Sequence, residues 1–330
     1  VKRLALLAAA AAVLAGCGEK KDTTTPAGTQ PLSLMLDFFP NADHAGIYAA
    51  DARGDFRRAG LAVKLQTPSD PSEPLRLLAA GRVDLAISYE PELFLARDKG
   101  LALASVGAIV QRPLTSIISL KGISSPAQLQ DKRVGTAGIP YQSAYLKTIA
   151  KAAGVTGIKE VNVGFNLVPA MLSKKVDATL GGFWNYEGIQ LQRRHRHPRI
   201  IPVDRAGVPT YDELIVVARE DTLRTHDGAA NVRRFMQALA AGYAAVRKDP
   251  TAGIDPLLAA NKDLDRGLQL ASVKATLPAF FPAAGKPFGW QDLRAWGRYA
   301  KWMTDNGLLK RPPSVGRALT NDYLPGQGIG

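Results

Sequence analysis

From residue 31 onward, short runs rich in leucine and β-branched residues alternate with stretches whose apolar positions recur at helical spacing. The runs predict strands at 33–36, 62–66, 85–88, 104–110, 115–120, 133–136, 160–163, 178–181, 200–202 and 213–218, because such residues suit a pleated, half-buried surface. Helical stretches fall between them at 44–53, 74–80, 141–153 and 168–174. Alternation of this kind predicts an α/β fold with mostly parallel sheets. Past residue 225 only helices are expected, as in NVRRFMQALAAGYAAVRKDP (231–250) and GWQDLRAWGRYAKWMTDNGLL (289–309). In the second, Leu293, Trp296, Tyr299, Ala300 and Met303 share one apolar stripe, so Trp296 and Trp302 read as packing residues.

About 300 residues of such pattern exceed one typical core, which predicts two lobes. The segments LLAAGRVDLAIS (77–88) and AMLSKKVDATLGG (170–182) echo each other: a leucine-bearing helix end, a basic residue, Val-Asp, then a strand. Each runs into an aromatic and acidic cluster, YEPE at 89–92 and FWNYEG at 183–188. Two lobes built alike would face one another across a cleft at the carboxyl ends of their strands, where ligands bind in α/β folds. Leu114–Leu120 and Tyr211–Arg219 are the natural crossovers. The expected division is a first lobe from 31–115 plus a helical part at 220–330, around a second lobe at 116–219.

The amino-terminal segment reads differently. Lys2-Arg3 precedes an uncharged, mostly apolar run from Leu4 to Gly16, too short for the about 20 residues that cross a bilayer. A basic start, an apolar run and small residues before a cleavage point describe a signal peptide at 1–16. Leu14-Ala15-Gly16-Cys17 resembles the bacterial lipoprotein box, which implies lipidation of Cys17 and removal of what precedes it. Residues 17–30, with almost nothing apolar, would serve as a tether.

Cys17 is the sole cysteine, which excludes an internal disulfide and a thiolate cluster. Removing Lys2 and Arg3 lowers the formal charge from +13 to +11. For an exported chain that balance points to an anionic surface rather than to nucleic acid, which is not expected as a partner. The densest basic run, Arg193-Arg194-His195-Arg196-His197, reads as a solvated helix end, with no metal expected from its histidines. G-x-S-x-G, H-E-x-x-H, the phosphate-binding G-x-x-x-x-G-K-[ST] and paired C-x-x-C motifs are missing.

The chemistry that is present clusters at predicted strand ends. Asp37, Phe38 and Asn41 follow the first strand, with Asp43 a candidate cap for the helix carrying His44. Tyr89 and Glu90 follow the third, and Trp184, Asn185, Tyr186 and Glu187 follow the eighth. The loop at Gly138 opens a helix whose first turn carries Tyr141, Gln142 and Ser143, offering free N–H groups. A ligand at the first of these ends would meet an aromatic face, an amide and the positive end of a helix dipole. Each position also has a packing alternative: Phe38 and Trp184 as core, the asparagines as turn formers, Glu187 as a helix cap, Glu90 as an acid in a helix start, and His44 as a brace.

On LDFFPNADHAGIYAA, DPSEPLRLLAAGRVDLAISYEPELFLARDKG, VGAIVQRPLTSIISLK, GGFWNYEGIQL and LTNDYL, the sequence resembles the solute-binding lipoproteins of ABC importers in the thiamine-pyrimidine-precursor family. The resemblance spans residues 32–324 in order. It implies a type II periplasmic-binding-protein fold of two α/β lobes joined by two crossover strands, with C-terminal helices packed on the first lobe. It also implies no cofactor, action as a monomer, and delivery of a hydroxymethyl- or formylaminomethyl-aminopyrimidine to an ABC permease and its ATPase, on the extracytoplasmic side of the membrane. The family has a eukaryotic branch that synthesises the pyrimidine using a lysine, a histidine and a cysteine-rich loop. Those positions are taken here by Ser88, Glu92 and the cysteine-free VPTYDEL (208–214), which argues against synthesis. Riboflavin, a sulfonate or nitrate are the rival ligands.

Overall fold

A computed structural model of the chain describes residues 28–326, residue 121 excepted. Cys17, the signal segment and most of the tether lie outside the described residues.

Among the described residues ten strands form: β1 (Gln30–Met35), β2 (Leu61–Gln66), β3 (Leu85–Ser88), β4 (Leu103–Val110), β5 (Thr115–Ser119), β6 (Arg133–Thr136), β7 (Lys159–Asn162), β8 (Ala178–Phe183), β9 (Arg199–Pro202) and β10 (Leu214–Arg219). The polarity pattern located all ten, with ends shifted by a few residues. They assemble into two five-stranded sheets, in the orders β2-β1-β3-β10-β4 and β7-β6-β8-β5-β9. Within each sheet four strands run parallel and one runs against them, β10 in the first and β5 in the second. The odd strand is in each case the one that has just crossed from the other lobe.

Sheet membership corrects one boundary. Residues 214–219 belong to the first sheet, so the return crossing is complete before Leu214, and the second lobe does not extend to 219. Periodicity marks a strand but says nothing about which sheet receives it. The two crossings are fastened together by Glu213, whose carboxyl accepts from the backbone N–H groups of Leu114 (2.7 Å) and Thr115 (2.8 Å) and from the Thr115 hydroxyl (2.9 Å).

The internal echo has a structural counterpart. Asp84, of the first Val-Asp pair, accepts from the backbone N–H of Ser33 (2.7 Å) in β1. Asp177, of the second, accepts from the backbone N–H of Arg133 (2.9 Å) in β6. Each aspartate thus fastens the start of its own strand to the neighbouring parallel strand, and the two clusters that follow β3 and β8 both arrive at the cleft.

Eight helices bear on the site: α1 (Ala45–Ala52), α2 (Glu90–Asp98), α3 (Pro140–Ala153), α4 (Leu167–Leu172), α5 (Glu187–Arg193), α6 (His226–Lys248), α7 (Arg266–Thr276) and α8 (Leu293–Asp305). The long α6 lies against α1. A β-carbon at Gly242 would come within 2.1 Å of the Gly46 carbonyl oxygen, so only glycine permits that approach. On α8, Trp296 is buried against Phe94 of α2, ring centroids 5.4 Å apart, as its helical stripe predicts. Burial of a side chain this large contributes about 1.5–3 kcal/mol. Among the described residues no helix is long and apolar enough to cross a membrane.

Candidate functional site

The two sheets present their strand ends to a narrow interlobe cleft. From the first lobe it is lined by Asp37, Phe38, Asn41 and Tyr89, and from the second by Tyr141, Gln142, Phe183, Tyr186 and Glu187, with Ala137, Ile139, Leu167 and Gly181 between them. At its mouth Phe38 and Phe39 meet Phe165 of the opposite lobe, with centroid distances of 4.3 and 4.0 Å.

The first-lobe half is a closed hydrogen-bond network. Asn41 caps the short 3-10 helix Ala42–His44, its side-chain oxygen accepting from the Asp43 N–H (2.8 Å). His44 returns the capping contact, its Nδ1 accepting from the Asn41 N–H (3.2 Å). With Nδ1 accepting, Nε2 is the nitrogen that donates to Asp37 Oδ1 (2.8 Å). The second oxygen of Asp37 accepts from the Tyr89 hydroxyl (2.7 Å). His44 itself is fully buried behind Asp37 and does not line the cleft, so its role is bracing. The cap is Asn41, not Asp43, whose side chain turns to the other lobe.

The second-lobe half retains free hydrogen-bonding capacity. Gln142 accepts from the Ala137 N–H (2.8 Å) with Oε1, while its Nε2 is buried and has no protein partner. Gly181 makes room for that amide: its φ is +116°, and a β-carbon there would lie 2.3 Å from Gln142 Nε2. Glu187 opens α5 and accepts from the Phe183 N–H (2.7 Å) with one oxygen. Burial pushes its carboxyl up to about 7, against the lowering effect of that N–H. Burial also raises the hydroxyl of Tyr186 to about 12 and that of Tyr89 well above the tyrosine range. The rings of Tyr89 and Tyr141 meet across the cleft at 5.6 Å.

Besides His44, five residues expected at the ligand lie elsewhere. Trp184 donates from Nε1 to the Pro113 carbonyl (3.1 Å) and carries the Arg112 guanidinium over its ring at 5.3 Å, on the outside of the crossover. Asn185 is buried on a separate interlobe contact with Asp43. Only Phe183 of FWNYE belongs to β8, and the turn that follows carries Tyr186 and Glu187 to the cleft wall while Trp184 and Asn185 point away from it. Glu90 is fully buried and accepts from the Asp212 N–H (2.8 Å) at the crossing. Gly138 sits against Asn162, although its neighbours Ala137 and Ile139 reach the cleft. Ser143 donates to Glu160. Phe183 and Gly181 were absent from the expected set, yet their i, i+2 spacing at the end of β8 marks a common face.

Ser88 and Glu92 form a buried pair, the serine hydroxyl donating to the carboxyl at 2.6 Å, and burial raises Glu92 to about 7. His195 and His197 are exposed in the turn after α5. Among the described residues no group of three or more His, Cys, Asp and Glu side chains is placed to hold a metal ion.

The chain is similar over 86% of its length to 87% of the formylaminopyrimidine-binding protein of Halalkalibacterium halodurans, at 33% identity. It is similar over 89% of its length to 92% of the 4-amino-5-hydroxymethyl-2-methylpyrimidine phosphate synthase of Legionella pneumophila, at 24% identity. Among solved structures, the alkanesulfonate-binding protein SsuA of Xanthomonas axonopodis pv. citri superimposes with a TM-score of 0.68 at 18% identity, covering 88% of this chain and 98% of that one. A likeness at that identity establishes the shared type II periplasmic-binding fold. The profile of the family described as NMT1/THI5 like matches residues 41–253, more than half of the chain, and the chain belongs to that family.

Proposed function

We propose that the chain is the extracytoplasmic binding component of an ABC importer, tethered by a lipid on Cys17, that closes over a thiamine pyrimidine precursor such as a hydroxymethyl- or formylaminomethyl-aminopyrimidine and delivers it to the permease. The observation that carries the reading is the composition of the cleft wall: aromatic rings, two carboxyls and an unpartnered amide donor, with no lysine, arginine or histidine. An aminopyrimidine matches each part. Its faces stack on rings, its exocyclic amine donates to a carboxyl such as Glu187, and a ring nitrogen or formyl oxygen accepts from Gln142 Nε2. The name of the Halalkalibacterium relative supports the same ligand class. A sulfonate or nitrate would face Asp37 and Glu187 with no cation to balance them.

The synthase reading, raised by the Legionella relative, requires a lysine and a histidine where Ser88 and Glu92 hydrogen-bond to each other away from the cleft. That pairing favours binding without turnover.

The test is thermal unfolding with hydroxymethyl- and formylaminomethyl-aminopyrimidine, riboflavin, pyridoxal phosphate, nitrate and taurine. A ligand that binds only the native state stabilises it by about 2.7 kcal/mol at a hundredfold excess over Kd. Stabilisation by an aminopyrimidine is expected, and Glu187→Gln should weaken that binding by roughly ten- to a hundredfold, the value of a hydrogen bond to a charged group. Stabilisation by riboflavin or an anion alone sinks the ligand assignment.

A further inference from the structure

Beside the cleft, α7 turns a polar face toward the second lobe. Asp265, Gln269, Ser272 and Thr276 recur at i, i+4, i+7 and i+11, which places them along one side of a helix. Opposite stand Asn185, Tyr186 and Arg193. Asn185 Nδ2 donates to Asp43 Oδ1 and to the Thr276 hydroxyl, both at 2.7 Å. Gln269 Nε2 donates to the Tyr186 hydroxyl (3.0 Å), and Arg193 reaches Asp265 (3.3 Å) at the exposed edge. Asn185, Gln269, Ser272 and Thr276 are completely buried.

The face is only half satisfied. Asp43 Oδ2, Asn185 Oδ1, Gln269 Oε1 and Ser272 Oγ are buried without a protein partner. A permanent internal interface is built apolar or fully paired, because an unpaired buried polar atom forfeits its hydration. Polar groups that are half paired when the lobes meet, and hydrated when they part, suit a surface that alternates between the two conditions. The Asp43 backbone is held separately, its carbonyl accepting from the Tyr243 hydroxyl (2.6 Å) and its N–H by Asn41, which leaves its carboxyl to the interlobe contact.

We infer that this face is a latch that sets the balance between open and closed lobes, and with it the residence time of the ligand, without touching the ligand. Its bonds through Asn185 hold the lobes together, and its unpartnered atoms favour their separation. The residence-time part rests on the binding reading above; the lobe-separation part does not.

Two substitutions of opposite sign test it in the full chain. Asn185→Ala removes both bonds and is expected to raise the radius of gyration of the ligand-free protein in small-angle X-ray scattering. It should also speed dissociation of formylaminomethyl-aminopyrimidine, followed by stopped flow, by about tenfold or more. Ser272→Ala deletes an unpartnered hydroxyl and keeps a strong helix former. It should compact the ligand-free protein and slow dissociation by roughly threefold, by lowering the cost of reaching the closed state. Thr276→Val, nearly isosteric, should act as a milder Asn185→Ala and replaces it if that variant does not fold. Substitutions that shift lobe separation and release in the same direction, or leave both unchanged, overturn the latch. Absence of pyrimidine binding in the unmodified protein, with lobe separation still moving oppositely in the variants, would instead reject the ligand and keep the latch.

Discussion

The two halves of the cleft solve different problems with similar residues. In the first lobe Asp37 spends both oxygens on protein donors, His44 and Tyr89, and Asn41 is occupied by its own loop. In the second, Glu187 engages one backbone N–H and Gln142 leaves its amine free. A side chain whose hydrogen bonds are already made is a rigid wall, whereas one with capacity to spare is a reader of ligand chemistry. On the binding reading proposed above, the contrast assigns specificity to the second lobe and to the first a fixed surface against which a ligand would be pressed.

The strongest attack on that division is His44→Ala. It removes a donor from buried Asp37 and the capping contact to Asn41, so a loss of about 3 kcal/mol is expected, by the rule that breaking a buried pair leaves an uncompensated charge. The unfolding midpoint should fall by roughly 5–10 °C. His44 does not line the cleft, so calorimetric affinity measured below the transition should change far less than in Glu187→Gln. An equal loss of affinity in the two variants would erase the distinction between wall and reader.

A smaller effect comes from pH. Burial holds Asp43, Glu187, Asp212 and Glu213 at about 7 in the folded chain, from ordinary values of 3.8 for the aspartates and 4.5 for the glutamates. Between those values and 7 the folded state binds more protons than the unfolded one, so stability falls as pH rises. Their contribution is complete below about pH 4 and lost through pH 7. The midpoint is expected to drop by several degrees from pH 5 to pH 8, and Glu213→Gln should flatten the slope. A midpoint that climbs over that interval contradicts the burial of these groups.

The least consequence is expected of the most conspicuous residue. Trp184→Phe loses the hydrogen bond to Pro113, worth about 1 kcal/mol, and retains most of the packing. Affinity for the pyrimidine should stay within roughly twofold. A larger change would bring Trp184 back to the site.

These positions also mark what a sequence carries and what it withholds. Strand positions were legible because β-branched runs are local signals, and Trp296 because its stripe repeats along one helix. The assignment of β10 was not, since its partners Ala86 and Leu85 lie far away in the chain. At the site, Asp37, Phe38, Asn41, Tyr89, Tyr141 and Glu187 reach the cleft as strand ends predict. Asn185, Trp184 and Glu90 do not, because the direction of a side chain beyond a strand end depends on the turn that follows. Gln142 was noticed only as part of a helix start, and its free amide becomes visible once Ala137 claims the other end.

The place of β10 between β3 and β4 bears on how the molecule is made. Those two strands share no ladder, and each pairs with residues 214–219 instead. Chain leaving a ribosome in order would carry the first sheet as two unjoined pieces until the whole of the second lobe had followed. Pairings over such sequence separation form slowly. The lobe begun first is therefore the lobe completed last.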